Sequence, residues 1–484
     1  MCWAARRAAE ARGRGPAIAG PRPETGYNPT VPPDGELLAP RGRSRERRAV
    51  AAVGQPPLHS ARLGATVVTE EAWRRPRPRP VEVLPTVVEG QQLYCLRDHI
   101  EPTGPAVLVS REGLFLLSLM DGERDLLRLR TAFTLRTGAT ITAAQVEAFV
   151  RQLDDAYLLV GPRFDGRLAE LRAAFAAAPN RPATHAGGAY AGDPAALEAA
   201  LDAYFLAPDG PGSLPGPAHG RELVGLVAPH VDLHRGGPTY AWAYRALAEA
   251  ADPELIVLLG TCHAIMDTPF AATAKDYDTP LGPVSTDAAF VRDLAARYSG
   301  DLFADEFAHR AEHALEFQAV YLRYLQRRGW LGPVQVVPIL CGSPHARVGS
   351  DTTPGEVAAI AEFVALLGER LAADGRRWCV LAGADLAHVG PQFGDRAPVT
   401  EPFLAEVGAA DRAMLALAAD GDADGFYRNV MGDGDRRRIC GVAPMDTMLR
   451  LLPAARGEIL RYTQWADPNG HSSVTFASLA YYRA

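Results

Sequence analysis

The strongest constraint on the fold is a series of short runs in which nearly every residue is apolar, each set against a longer amphipathic stretch. "LVGLVAPH" precedes "TYAWAYRALAEA", and "ELIVLLGTCH" follows. "QVVPILCG" comes before "GEVAAIAEFVALLGERLAADG", and "WCVLAGADLAHVG" leads into a long helical stretch. A strand with one face in water alternates apolar and polar residues, whereas a strand covered on both faces does not. The pattern predicts that residues 181–484 form an α/β domain with a mostly parallel sheet flanked by helices. "ILRYTQW" and "SVTFASLAYYRA" are expected as closing strands at a sheet edge.

The front of the chain differs. Residues 1–80 are rich in Ala, Arg, Pro and Gly without apolar periodicity, and a disordered tail is expected there, with "WRRPRPRP" at 73–80 as a stiff extended spacer. Over 81–165, strands at Gln92–Arg97 and Ala106–Ser110 precede a helix, an Asp-Gly turn and a second helix. A third helix opens on Thr142, puts Val146, Phe149, Val150, Leu153 and Tyr157 on one face, and runs into an apolar strand. This order suggests a small winged-helix-like domain, also similar to the PqqD-like peptide-recognition modules. Residues 166–180 are expected as a helical linker. A formal net charge of −7 and no dense basic stripe argue against nucleic acid. No apolar run approaches the ~18 residues of a membrane helix. The six cysteines are scattered without a CxxC, the pattern of reduced thiols in a cytoplasm.

In open α/β sheets, ligands gather beyond the carboxyl ends of the strands. The first apolar run ends in His230 and the second in Cys262-His263; "CVLAGAD" ends in Asp385, with His388 three residues on. One histidine after a strand is ordinarily a satisfied polar group, but three tips ending alike point to a metal. Two imidazoles and a carboxylate suit non-haem iron(II); two imidazoles and a thiolate suit zinc, iron or copper. The candidate thiol is Cys440 in "RRRICGVAPMDTML", in a turn before a helix whose dipole favours thiolate. "HRAEH", from His309 to His313, matches the zinc-protease pattern H-x-x-E-H, with Glu312 activating water. The plainer expectation is that Glu312, His313 and Glu316 line the pocket wall or support the ligands.

Six segments in order resemble the Memo-like family, whose prokaryotic members include AmmeMemoRadiSam system protein B. "RPATHAGGAY", with His185 and Tyr190, resembles the family's opening, "VAPHVDLHRGG" its A-P-H-A-G-Y segment, and "LLGTCH" its G-P-S-H. "EHALEFQ" is similar to E-H-S-I-E-x-H, "GADLAHVG" to S-S-D-x-x-H-x-G, and "ICGVAPM" to the I-C-G-x-x-P turn. The resemblance implies a fold like the class III extradiol dioxygenases of the LigB type. It implies His230, His263 and Cys440 as metal ligands, with His185, Asp385 and His388 as catalytic groups in the same pocket. Iron(II) is the implied metal, with copper or zinc as alternatives. The implied activity is that of a dioxygenase-like oxidoreductase, with a non-catalytic protein holding a small molecule or peptide as the alternative. Radical-SAM and AMMECR-type proteins are the implied partners. The chain departs from the family pattern at Asp232 and His234, which replace an aromatic-bearing segment, at Gln318 and at Ala443.

Overall fold

The computed structural model describes residues 73–483, apart from 99, 102–103, 346, 350 and 453–454. Of the tail expected over 1–80, residues 1–72 lie outside the described residues. The chain divides into two compact units, one ending at Glu170 and the other starting at Leu171.

In the front unit, strands Glu82–Val88, Gln91–Arg97 and Val107–Val109 form an antiparallel sheet. Helices Arg111–Ser118, Leu126–Thr137 and Ala143–Asp155 follow. Each begins at a side chain that accepts from a free helix N–H: Ser110, Asp125 and Thr142, the last in a capping box with Gln145. Leu96, Val109, Leu116, Leu129, Val146 and Leu153 close the core. Three details differ from expectation. Tyr157 lies past the helix end with φ of 60°, so it leaves the apolar face. The strand after the helix shrinks to one bridge, between Pro78 and Leu159. The end of the expected spacer is folded in: the buried Arg79 donates to both Asp98 oxygens at 2.9 and 3.1 Å and to the Tyr157 carbonyl at 2.7 Å. The stretch expected as a helical linker is largely one helix, Pro162–Ala177.

The second unit is built on one eight-stranded sheet. Its strands are β1 (Leu223–Ala228), β2 (Leu255–Thr261), β3 (Phe270–Ala272), β4 (Gln335–Cys341), β5 (Trp378–Gly383), β6 (Asp385–Val389), β7 (Arg456–Ala466) and β8 (Ser473–Tyr482). Side chains on successive positions face opposite ways. On β2, Val257 and Leu259 enter one apolar cluster, and Ile256 and Leu258 the other. The second cluster is covered by α1 (Pro194–Leu206), α2 (Leu233–Ala248) and α4 (His313–Arg327). The first is covered by α3 (Ala288–Arg297), α5 (Ala358–Ala372), α6 (Glu401–Ala419), α7 (Ala423–Met431) and α8 (Val442–Leu451).

The sheet is mixed rather than mostly parallel. β1, β5, β2 and β4 are parallel neighbours, but β3, β6, β7 and β8 all join antiparallel. The short link 467–472 between β7 and β8 allows a hairpin, whereas a parallel crossover needs a dozen or more residues. β8 is interior, not an edge: β7 pairs along one side of it, while the other side serves β1 near Leu479 and β6 near Val474. β6 therefore continues the lane of β1 along β8. The chain leaves β5 at Gly383 and steps sideways into that lane. Asp385 is thus the first residue of a new strand, not the tip of a parallel one.

That step is made against α4. A Cβ on Gly383 would sit 2.7 Å from the Ala314 carbonyl oxygen and 3.0 Å from Gln318 Nε2. Gly383→Ala is expected to lower unfolding stability by about 1–3 kcal/mol, the usual cost of overpacking, read by denaturant titration.

Candidate metal site at the strand tips

His230 stands two residues past β1, His263 two past β2, and His313 is the first residue of α4. Each offers a ring nitrogen, and these atoms lie within 4.8 Å of one another. The ring centroids of His263 and His313 are 4.8 Å apart, and those of His230 and His263 5.1 Å. His230 is buried, whereas His263 keeps 43% of its side chain exposed.

The hydrogen bonds fix which nitrogen is free. His230 Nδ1 donates to the Gly383 carbonyl at 3.0 Å, which leaves Nε2 as the ligand atom. Its backbone N–H donates to Asp385 Oδ1 at 2.9 Å. His263 is held twice by Glu312: its backbone N–H donates to Oε2 at 2.8 Å and its Nδ1 to Oε1 at 3.0 Å. His313 Nδ1 lies 3.2 Å from the same Oε1. Burial pushes the His230 and His313 imidazoles down toward their neutral forms. Burial would raise the Glu312 carboxyl, but His263 and His313 hold it well below the usual range.

Cys440 lies beside this cluster, its Sγ 3.2 Å from His230 Nε2. The turn is seated by Gly441, whose N–H donates to the Asp385 carbonyl at 3.0 Å. A Cβ there would meet that oxygen at 2.5 Å and Ala384 Cβ at 2.7 Å. The expected dipole-favoured thiolate is not supported: burial raises the thiol well above its ordinary value.

His185 reaches the site through Glu316. Its Nδ1 is 2.8 Å from Oε2 and its ring is 5.7 Å from that of His313. Glu316 also accepts from Tyr190 and from the fully buried Arg181, which donates in addition to the Glu312 carbonyl at 2.7 Å. Burial opposes ionisation of Glu316, yet Arg181 and His185 bring its carboxyl down to about 2. His388 donates from Nδ1 to Leu386 O at 3.1 Å and packs edge-on against Phe393; burial pushes it down to about 4.

The protease arrangement does not form. Glu306–Arg310 is a 3-10 turn and α4 starts only at His313, so His309 and His313 do not share a helix. His309 is buried elsewhere, between the Tyr277 hydroxyl at 2.7 Å and the Ala271 carbonyl at 3.0 Å. Asp232 is the N-cap of α2 and pairs with Arg235, and the exposed His234 rests on Asp232. Gln318 is a brace: it donates to Pro229 O at 2.8 Å and Ala314 O at 3.1 Å, and accepts from Tyr244 at 2.7 Å. His313 is the member of the cluster that the sequence suggests only as a partner of His309 in the protease pattern, or as a wall or supporting residue. A histidine straight after an acidic helix cap was the available signal.

A cleft of ≈ 250 Å³ opens beside the cluster, lined by His263, Cys440, His345, Asp435 and Arg438 among others. A mixed α/β sheet whose strand tips and helix start gather three imidazoles defines a protein able to hold a metal ion. The chain belongs to the Memo-like family, whose profile matches residues 181–480. A MEMO1 family protein from Aquifex aeolicus is 28% identical over 392 residues, covering 80% of this chain and 96% of its own. That share is larger than residues 171–484 supply, so the similarity extends into the front unit. A MEMO1 family protein from Thermus thermophilus is 28% identical over 327 residues, covering 68% and 90%. One from Methanopyrus kandleri is 30% identical over 306 residues, covering 62% and 97%. Among solved structures, an uncharacterized protein of Escherichia coli K12 aligns with a TM-score of 0.31 at 15% identity, over 53% of this chain and 99% of its own.

Folding stabilises the ionised form of Glu316, so its contribution is full above pH 4.5 and is lost as pH falls toward 2. Glu316→Gln is expected to cost about 3–5 kcal/mol at neutral pH and to flatten that acid window, read by denaturant titration across pH 2–6.

Proposed function

We propose that the chain is a metal-dependent oxidoreductase of the non-haem dioxygenase type acting on a small molecule or peptide. The observation that carries the reading is the convergence of His230, His263 and His313 with Cys440 beside them. The donor set fits an ion: Nδ1 of each imidazole faces a carbonyl or carboxylate oxygen, Nε2 is left to bind, and the thiol adds a soft ligand. His230, His263 and Cys440 would hold iron(II), or copper or zinc in its place, with His313 as a further imidazole. A bound iron or copper ion supplies a one-electron and Lewis-acid centre at the cleft. Glu312 would keep the proton of His263 on Nδ1, leaving Nε2 as the ligand atom, and would lie beside the ring of His313. Asp385 orients His230 through its backbone, and His185 and His388 move protons. On this reading the sheet is a LigB-like scaffold, the front unit is winged-helix-like, and radical-SAM and AMMECR-type proteins are partners in the cytoplasm.

A second reading, a non-catalytic protein that holds a ligand in the same cleft, is favoured by Gln318. An amide cannot titrate, and this one is fully committed to Pro229, Ala314 and Tyr244. Recovery of an unaltered small molecule or peptide from the metal-loaded protein supports this second reading.

Elemental analysis of protein purified without chelator tests the first. Iron or copper near one equivalent is expected, with loss in His230→Ala and His263→Ala. Glu312→Gln is expected to weaken metal affinity about 10–100-fold. No bound transition metal, or metal retained in both histidine variants, sinks the proposal, and zinc alone favours the non-catalytic reading.

A further inference from the structure

The cleft beside the histidine cluster has a wall formed by the loop from Asp435 to Cys440. In the second unit, the described non-glycine residues with left-handed φ are Asp435, at 52°, and Arg438, at 54°. Both line the cleft. Such a backbone is disfavoured for residues with a Cβ, and it persists where surrounding contacts over-determine it. Here they do. Asp435 Oδ1 accepts from the Ile439 N–H at 2.8 Å, and its Oδ2 pairs with His345 Nε2 at 3.0 Å. Arg438 Nε donates to Phe393 O at 2.9 Å, its Nη1 to Arg436 O, and its Nη2 to Asp395.

A guanidinium has five N–H donors. Three of those of Arg438 are committed, so two remain, on a side chain still 34% exposed. On the cleft wall, Asp435 pairs with His345, while Arg438 pairs with Asp395, which is not part of the lining. The wall therefore presents a guanidinium held in place by its neighbours with two N–H donors to spare, a group suited to receiving a carboxylate. The volume of ≈ 250 Å³ lies below the range for drug-sized ligands, which fits a small acid.

We infer that the cleft takes a small carboxylic acid, whose carboxylate is received by Arg438 while its other end lies toward the histidine cluster. This names the substrate class of the proposed site and rests on that reading for chemistry, but not for binding.

The test uses the full chain with metal removed by chelator, so its outcome is independent of metal loading. Butyrate, hexanoate and octanoate, and the matching amides, are titrated by ligand-observed NMR and calorimetry. Binding of at least one acid is expected, weakening with salt, while its amide does not bind. Arg438→Gln should lower acid affinity about tenfold or more while the protein keeps a cooperative thermal transition, shifted down by the lost loop contacts. Asp395→Asn, which removes the competing charge, should raise it severalfold and serves as a gain-of-binding control for folding. Equal binding of acid and amide, an acid that binds only after metal is restored, no acid binding at all, or an unaltered affinity in Arg438→Gln overturns the proposal. Metal content of the wild-type protein, measured separately, decides the fate of the metal reading.

Discussion

The carboxylate of Glu312 is the joint on which the site depends. It caps α4 by accepting from the Ala314 N–H at 3.1 Å, and it grips both the backbone and the ring of His263 past β2. It also faces the ring of His313. One buried anion thus joins a helix start to a strand tip and fixes the tautomer of His263. Arg181 steadies the arrangement from behind by donating to the Glu312 carbonyl and pairing with Glu316 one turn further along α4. Without these partners, two buried carboxylates would sit beside each other at a steep desolvation cost.

The electrostatics divide the cluster: burial drives His230 and His313 toward the neutral form, whereas the His263 imidazole, against the effect of burial, is pushed up by Glu312. Several imidazoles packed at 4.8–5.7 Å cannot all carry protons in a partly buried pocket. His230 and His313 yield, pushed down by burial, and a neutral imidazole is the form that binds metal. Cys440 is held as a thiol by the same burial, so binding of an ion through sulfur must release a proton.

Much of this was legible in the chain itself, because a strand buried on both faces leaves an unmistakable apolar run and its end is easy to place. His230 and His263 follow from that alone. Asp385 reads in the sequence as a strand tip but opens a new strand, since nothing local signals that the chain steps into the lane of β1. The break before His313 was hidden for a similar reason: the stretch from Glu306 to Glu312 holds no Gly or Pro, and the 3-10 turn there is imposed by the burial of His309 against Tyr277. Arg181 could not be seen at all. Its burial is licensed by Glu316, far along the sequence, and no neighbour of Arg181 announces that partner. The mixed sheet was missed because the apolar character of β8 reports that it is covered, not which way it runs.

The placement of β8 has a consequence for biosynthesis. Ser473–Tyr482 bridges β1 and β6, strands made long before it during translation. Until those residues leave the ribosome, the outer edges of both strands lack their pairing partner, and Asp385 has no neighbour in Phe476 to seat it beneath His230. A nascent chain ending at residue 466 would carry every imidazole of the cluster without the strand that pairs Asp385, while offering open strand edges to any other unfolded chain nearby.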